Sequence, residues 1–230
     1  PPISIADRAK PLPLSYGQEA LWVISQLMEG RSPYVTFPVA RVRGALNISA
    51  VESALNEVVR RHESLRTTFE ERDGQPVQVI APFAARPLRV VDLSGLPVED
   101  REAEVQRYAA SESQRPIDLK KGPLLRVDLL KLATDEHVLL VGMHHIIFDG
   151  WSLEVLNREL LVAYAAFSAG RSPSLPALPI QYGDYAAWQR ERLQGEVLEG
   201  LRGYWLKKLD ALPTLELPTD RPRPAVRTTN

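Results

Sequence analysis

Cysteine is absent from the 230-residue chain, which excludes disulfides, thiolate metal sites and a cysteine nucleophile. Net charge is almost absent too: 28 basic and 29 acidic residues leave a formal −1. That balance offers nucleic acid or an anionic membrane no electrostatic attraction. No apolar run approaches the length needed to cross a bilayer. The opening PPISIADRAK lacks the basic-then-apolar layout of a secretion signal, and the expected setting is the cytoplasm.

What is present is the composition of an ordinary globular protein, 44% hydrophobic and 25% charged. The first ten residues are polar or Pro-rich and read as a linker. SYGQEALWVISQLMEG has helical spacing, with Ser15 as N-cap and Gly30 as stop. YVTFPVARVRG reads as a strand in which Pro38 marks an edge or a bulge. A helix follows over ISAVESALNEVVRRH, then a hairpin around Asp73-Gly74 and a strand in PLRVVDLS. Residues 98 to 114 read as a surface helix and PIDLKKGP as a loop. LLRVDLLKL and HVLLVGMHHII form a second strand pair, the latter apolar enough to be buried on both faces.

WSLEVLNRELLVAYAAFSAG is an amphipathic helix ended by Gly170. After a Pro-punctuated loop, a broken helical stretch runs from Tyr182 to Leu209. Strands and helices alternate without a strict βαβ repeat, which favours a two-layer α/β (α+β) sandwich over a barrel or doubly wound sheet.

The chemistry concentrates in VGMHHIIFDGWS, residues 141 to 152. Neighbours on a strand point to opposite faces, so one of His144 and His145 looks into a cleft and the other bonds within the core. An imidazole suits general-base work on an amine or hydroxyl. Backbone N–H groups at the helix start after Asp149-Gly150 are placed to stabilise an oxyanion, and Gly150 lets substrate approach the backbone. Asp149 is placed to orient an imidazole, cap the helix or pair with an arginine. A metal site is not expected, because adjacent strand histidines diverge and only His62 and His137 remain.

HHIIFDGWS resembles the HHxxxDG signature of condensation domains of nonribosomal peptide synthetases, chloramphenicol-acetyltransferase-like acyltransferases. Three further stretches match in order. SYGQEALWVISQL is similar to SxAQxRLWxL, with Gly17, Glu19 and Ala20 departing from it; RHESLRTTF matches RHExLRTxF; YGDYAAW is similar to YxDFAxW, with Tyr185 for Phe.

The resemblance implies a mixed sheet flanked by helices and the N-terminal lobe of a two-lobed domain. It places a linker at 1–10, the lobe at 11–212, and a Pro-rich connector at 213–230 to a second lobe that the sequence lacks. It implies amide formation between a donor acyl or peptidyl thioester and the amine of an acceptor aminoacyl thioester. Both would ride on the phosphopantetheine arms of upstream and downstream peptidyl carrier proteins. No cofactor belongs to the domain itself, an adenylation domain is the expected neighbour, and the lobe alone is expected to be inactive.

Carried over residue by residue, His145 faces the channel as base or positioning group, and Gly150 offers backbone access at the oxyanion. His144 is structural, and Asp149 ion-pairs with Arg66. Trp151 is read as a core anchor; Trp22, Trp188 and Tyr182 as packing; Arg61, His62 and Glu63 as structural. Three other readings stand beside this one: an epimerisation domain of the same family, a lipid acyltransferase using His144 and Asp149, and a non-catalytic docking module for carrier proteins.

Overall fold

The computed structural model describes residues 2–28, 34–213, 215, 217, 218, 220 and 221. Gly30, the expected helix stop, and most of the stretch 213–230 lie outside them. The residues group into two compact units, 1–191 and 192–230.

The first unit carries both sheets. In the smaller, β1 (Leu12–Pro13), β5 (Gln75–Ile80) and β4 (Thr67–Arg72) run antiparallel in that order. The β4–β5 hairpin turns at Asp73 and Gly74, both with positive φ, which explains why the sequence spends Asp-Gly there. The larger sheet is mixed. β8 (Glu136–His144) lies at its centre, with β2 (Val35–Thr36) and β3 (Val39–Arg43) on one side and β7 (Leu125–Lys131) on the other. β6 (Arg89–Asp92) closes it parallel to β7.

Pro38 does lie on an edge. It breaks one predicted strand into β2 and β3, yet both keep the same register on β8. The Val141 N–H donates to the Pro38 carbonyl at 3.0 Å, and the return bond is missing because proline has no N–H. β6, helix α3 (Val98–Gln114) and β7 form one parallel crossover, a βαβ unit the sequence did not announce. β6 is only four residues long, and the loop after α3 blurs its link to β7.

β8 is buried on both faces, as its apolar run predicts. Val138 and Leu140 join a cluster with Leu93, Leu130 and Val105 of α3. Met143 belongs to the main core, with Trp22 of α1 (Tyr16–Leu27), Val58 of α2 (Ile48–Arg61), and Leu153, Leu156 and Leu160 of α4 (Gly150–Ser168) packed there. The predicted last helical stretch is broken as expected: α5 (Tyr182–Arg192) ends before Gly195, whose φ of 54° opens α6 (Gly195–Lys208).

The opening residues do more than link. The Ala6 N–H and the Arg8 guanidinium reach Asp184 at 2.9 and 2.6 Å, and Arg8 also binds Glu63 at 2.9 Å. Asp184 is buried; burial alone would raise its pKa, but these partners and the Gln181 N–H hold it below the ordinary value.

Candidate functional site

The strand-to-helix corner after β8 is built from local bonds. His144 is fully buried at the strand end, and its Nδ1 accepts the Ile146 N–H at 3.1 Å. Burial pushes its pKa down to about 4, so the ring stays neutral near pH 7. The next residue is on the other side. His145 is half-buried, stacked on Phe148 with centroids 4.7 Å apart and edge-on to Tyr34 at 6.5 Å. The strand alternation thus separates the two imidazoles as the sequence predicts.

His145 lines a cavity of about 430 Å³ that also reaches Leu21 of α1, Val155 and Leu156 of α4, Ile180 and His62. Gln18 fixes the wall at one end. Its Oε1 accepts the Ser15 N–H and its Nε2 donates to the Ile146 carbonyl at 3.2 Å, so α1 is tied to the turn carrying His145. Ser15 caps α1 and meets the Tyr182 hydroxyl at 3.0 Å.

Asp149 is the N-cap of α4, accepting from the Ser152 N–H at 2.8 Å and the Ser152 hydroxyl at 2.6 Å. These two bonds hold its pKa below the ordinary value. With Ser152 and Leu153 bonded to Asp149, the backbone N–H groups of Gly150 and Trp151 have no acceptor among the described residues. A Cβ placed on Gly150 would meet no atom within 4 Å, and its backbone is helical. Neither packing nor conformation within the described residues calls for glycine there.

Two expectations need correction. Asp149 and Arg66 form no ion pair among the described residues. Arg66 ends the 3-10 turn Glu63–Arg66, where its guanidinium binds the Ala81 carbonyl and sits 3.8 Å from Glu63, while Asp149 spends its carboxylate on its own helix. Trp151 is not a core anchor: it is 77% exposed at the cavity rim. Over the first two turns of α4, the core-facing side is taken by Leu153 and Leu156.

The sequence reading missed the partner that Arg61 and His62 share. Glu159 of α4 is buried; Arg61 binds it at 3.0 and 3.3 Å, and His62 Nε2 lies 2.9 Å from it. The missed signal was a charge on an apolar stripe, since Glu159, Ala163 and Ala166 share the buried face.

The fold is that of the chloramphenicol-acetyltransferase-like acyltransferases, with a mixed sheet flanked by helices and a histidine corner at the end of its central strand. The Condensation domain family model matches residues 8–230, and the chain belongs to that family. It is 47% identical over 228 residues to one of the linear gramicidin synthase proteins of Brevibacillus parabrevis, spanning 99% of this chain and 3% of that protein. It is 44% identical to phosphinothricin tripeptide synthetase PhsC of Streptomyces viridochromogenes, spanning 97% of this chain and 21% of that one.

Among solved structures, the X-domain from teicoplanin biosynthesis matches with a TM-score of 0.79 and 33% identity, over 98% of this chain and 49% of that one. The starter condensation domain of rhizomide synthetase matches in fold, with a TM-score of 0.79 at 24% identity, over 89% and 49%. The chain therefore spans about half of these solved domains and a small part of the synthetases.

Proposed function

We propose that this chain is the histidine-bearing lobe of a condensation domain that joins two carrier-bound substrates through an amide. The amine of the acceptor aminoacyl thioester attacks the donor acyl or peptidyl thioester carbonyl. A C–N bond forms, the C–S bond breaks, and the proton lost by the amine goes to the departing pantetheine sulfur. Thioester aminolysis needs no nucleotide at this step, so the protein's task is alignment and exclusion of water. The phosphopantetheine arms belong to upstream and downstream carrier proteins. A second lobe, following the Pro-rich connector, completes the channel, and the isolated lobe is inactive.

One observation carries this reading. Of the adjacent histidines, His145 lines a cavity whose wall includes Trp151 and Asp149, beside a helix start with two N–H groups unbonded among the described residues. His145 positions or deprotonates the amine. The N–H groups of Gly150 and Trp151 receive the negative charge that develops on the carbonyl oxygen. The open space over Gly150 admits the thioester. His144 and Asp149 support the corner, His144 by locking the turn and Asp149 by starting the helix, while Arg66 supports the neighbouring β4–β5 hairpin through the Ala81 carbonyl.

The test restores the chain to its complete domain, supplies separately loaded donor and acceptor carriers, and follows both by intact-protein mass spectrometry. Transfer of the donor mass to the acceptor carrier is expected, with loss in a folded His145→Ala variant. Carriers that keep their masses with the wild type would sink the proposal. Inversion at the tethered Cα would instead make this an epimerisation domain.

A further inference from the structure

The cavity beside His145 has a second imidazole in its wall. His62 closes α2 as its C-cap and lines the same cavity. Its Nε2 lies 2.9 Å from Glu159, whose other partner is Arg61. Burial alone would raise the Glu159 pKa, but the bonds from Arg61 and His62 outweigh it and keep the carboxylate ionised. An ionised carboxylate only accepts, so Nε2 carries a proton, and in the neutral ring that leaves the lone pair on Nδ1. Nδ1 has no hydrogen-bond partner among the described residues and is not one of the buried unpaired atoms. With one edge of the ring fixed on Glu159, the edge left for the cavity is the one that accepts.

Between His145 and His62 the wall is mostly aliphatic: Leu21, Val155, Leu156, Leu178 and Ile180. Its polar side chains largely have protein partners already, Gln18 on Ser15 and Ile146, and Gln181 on Glu63 and Arg61. Such a chamber suits an uncharged group that carries one donor.

We infer that His62, held by Glu159, accepts a hydrogen bond from the N–H on the donor's Cα, with the donor's side chain against the aliphatic wall. This rests on the condensation reading above. There the acceptor amine sits at His145 with the donor carbonyl beside it, so the donor's Cα substituents are what enters the adjoining cavity. His62 is then a positioning and specificity residue, favouring aminoacyl and peptidyl donors over acyl or hydroxyacyl ones.

The test uses the complete domain and two donors of the same shape on one carrier: N-acetyl-leucyl, and its ester analogue O-acetyl-2-hydroxyisocaproyl, in which oxygen replaces the N–H. Wild type is expected to favour the N–H donor by at least about tenfold in kcat/KM. His62→Gln keeps a donor for Glu159 but has no acceptor at the Nδ1 position, and the preference should collapse toward one. His62→Asn places its carbonyl near Nδ1 and should restore part of the preference. A His62 that only holds the fold would slow both donors equally, and that result overturns the inference, as does wild type treating them alike. If wild type transfers neither donor, the condensation reading itself has failed and takes this inference with it.

Discussion

Adjacent in the chain, His144 and His145 live in opposite surroundings. His144 is sealed at the end of β8, with Nδ1 accepting from the Ile146 backbone. His145 is stacked on Phe148 and opens onto the cavity. One residue of strand alternation divides a ring that holds the turn from a ring that lines the cavity. The difference teaches that an HH pair is a hinge between two functions, where removing one ring tests chemistry and removing the other tests folding.

The largest expected effect sharpens that division. His145→Ala in the complete domain should lower carrier-to-carrier transfer by about 10²–10⁴-fold, the usual worth of a positioned acid–base group, with the urea midpoint nearly unmoved. A parallel loss of stability would blur the comparison. Next comes Glu159→Ala, which strands the buried Arg61 and should cost about 3–5 kcal/mol in chemical denaturation. A loss under about 1 kcal/mol would show that Arg61 finds water instead.

The third test is pH. Folded His144 titrates at about 4, below its unfolded value near 6.5. In that window the unfolded chain takes up a proton that the folded chain refuses, so stability is full above it and falls as pH drops through it. The slope approaches about 1.4 kcal/mol per pH unit, measured by denaturation at pH 7, 6 and 5. His144→Asn, which can keep an acceptor for Ile146, should flatten that slope; an unchanged slope would assign it to other groups.

The smallest effect concerns the corner. Asp149→Ala should cost about 1 kcal/mol, the value of an N-cap. Its coupling to Arg66→Ala in a double-mutant cycle should be close to zero, whereas a direct ion pair would show clear coupling.

These contrasts bear on how far the sequence could be read. A nearly continuous apolar run located β8, helical spacing located α2 and α4, and four ordered motifs supplied the fold and the histidine corner. What escaped were matters of partner choice. Arg66 had several acceptors within reach, and nothing in LRTTF says that the Ala81 carbonyl wins. Trp151 reads as core by its size, while the helix phase that exposes it depends on where Asp149 caps. Glu159 was hidden because two of its partners, Arg61 and His62, lie 98 and 97 positions earlier in the chain. The β6–α3–β7 crossover was obscured by a four-residue strand.

The Asp184 tether has a consequence for the order in which the protein is made. Ala6 and Arg8 find their carboxylate 178 and 176 residues further along the chain. During synthesis Ala6 and Arg8 leave the ribosome well ahead of Asp184, and this pairing must wait until α5 has followed them. The segment around Ala6 and Arg8 is therefore among the last to be fully fastened, and a nascent chain that has not yet reached residue 184 offers that segment to a protease or a chaperone.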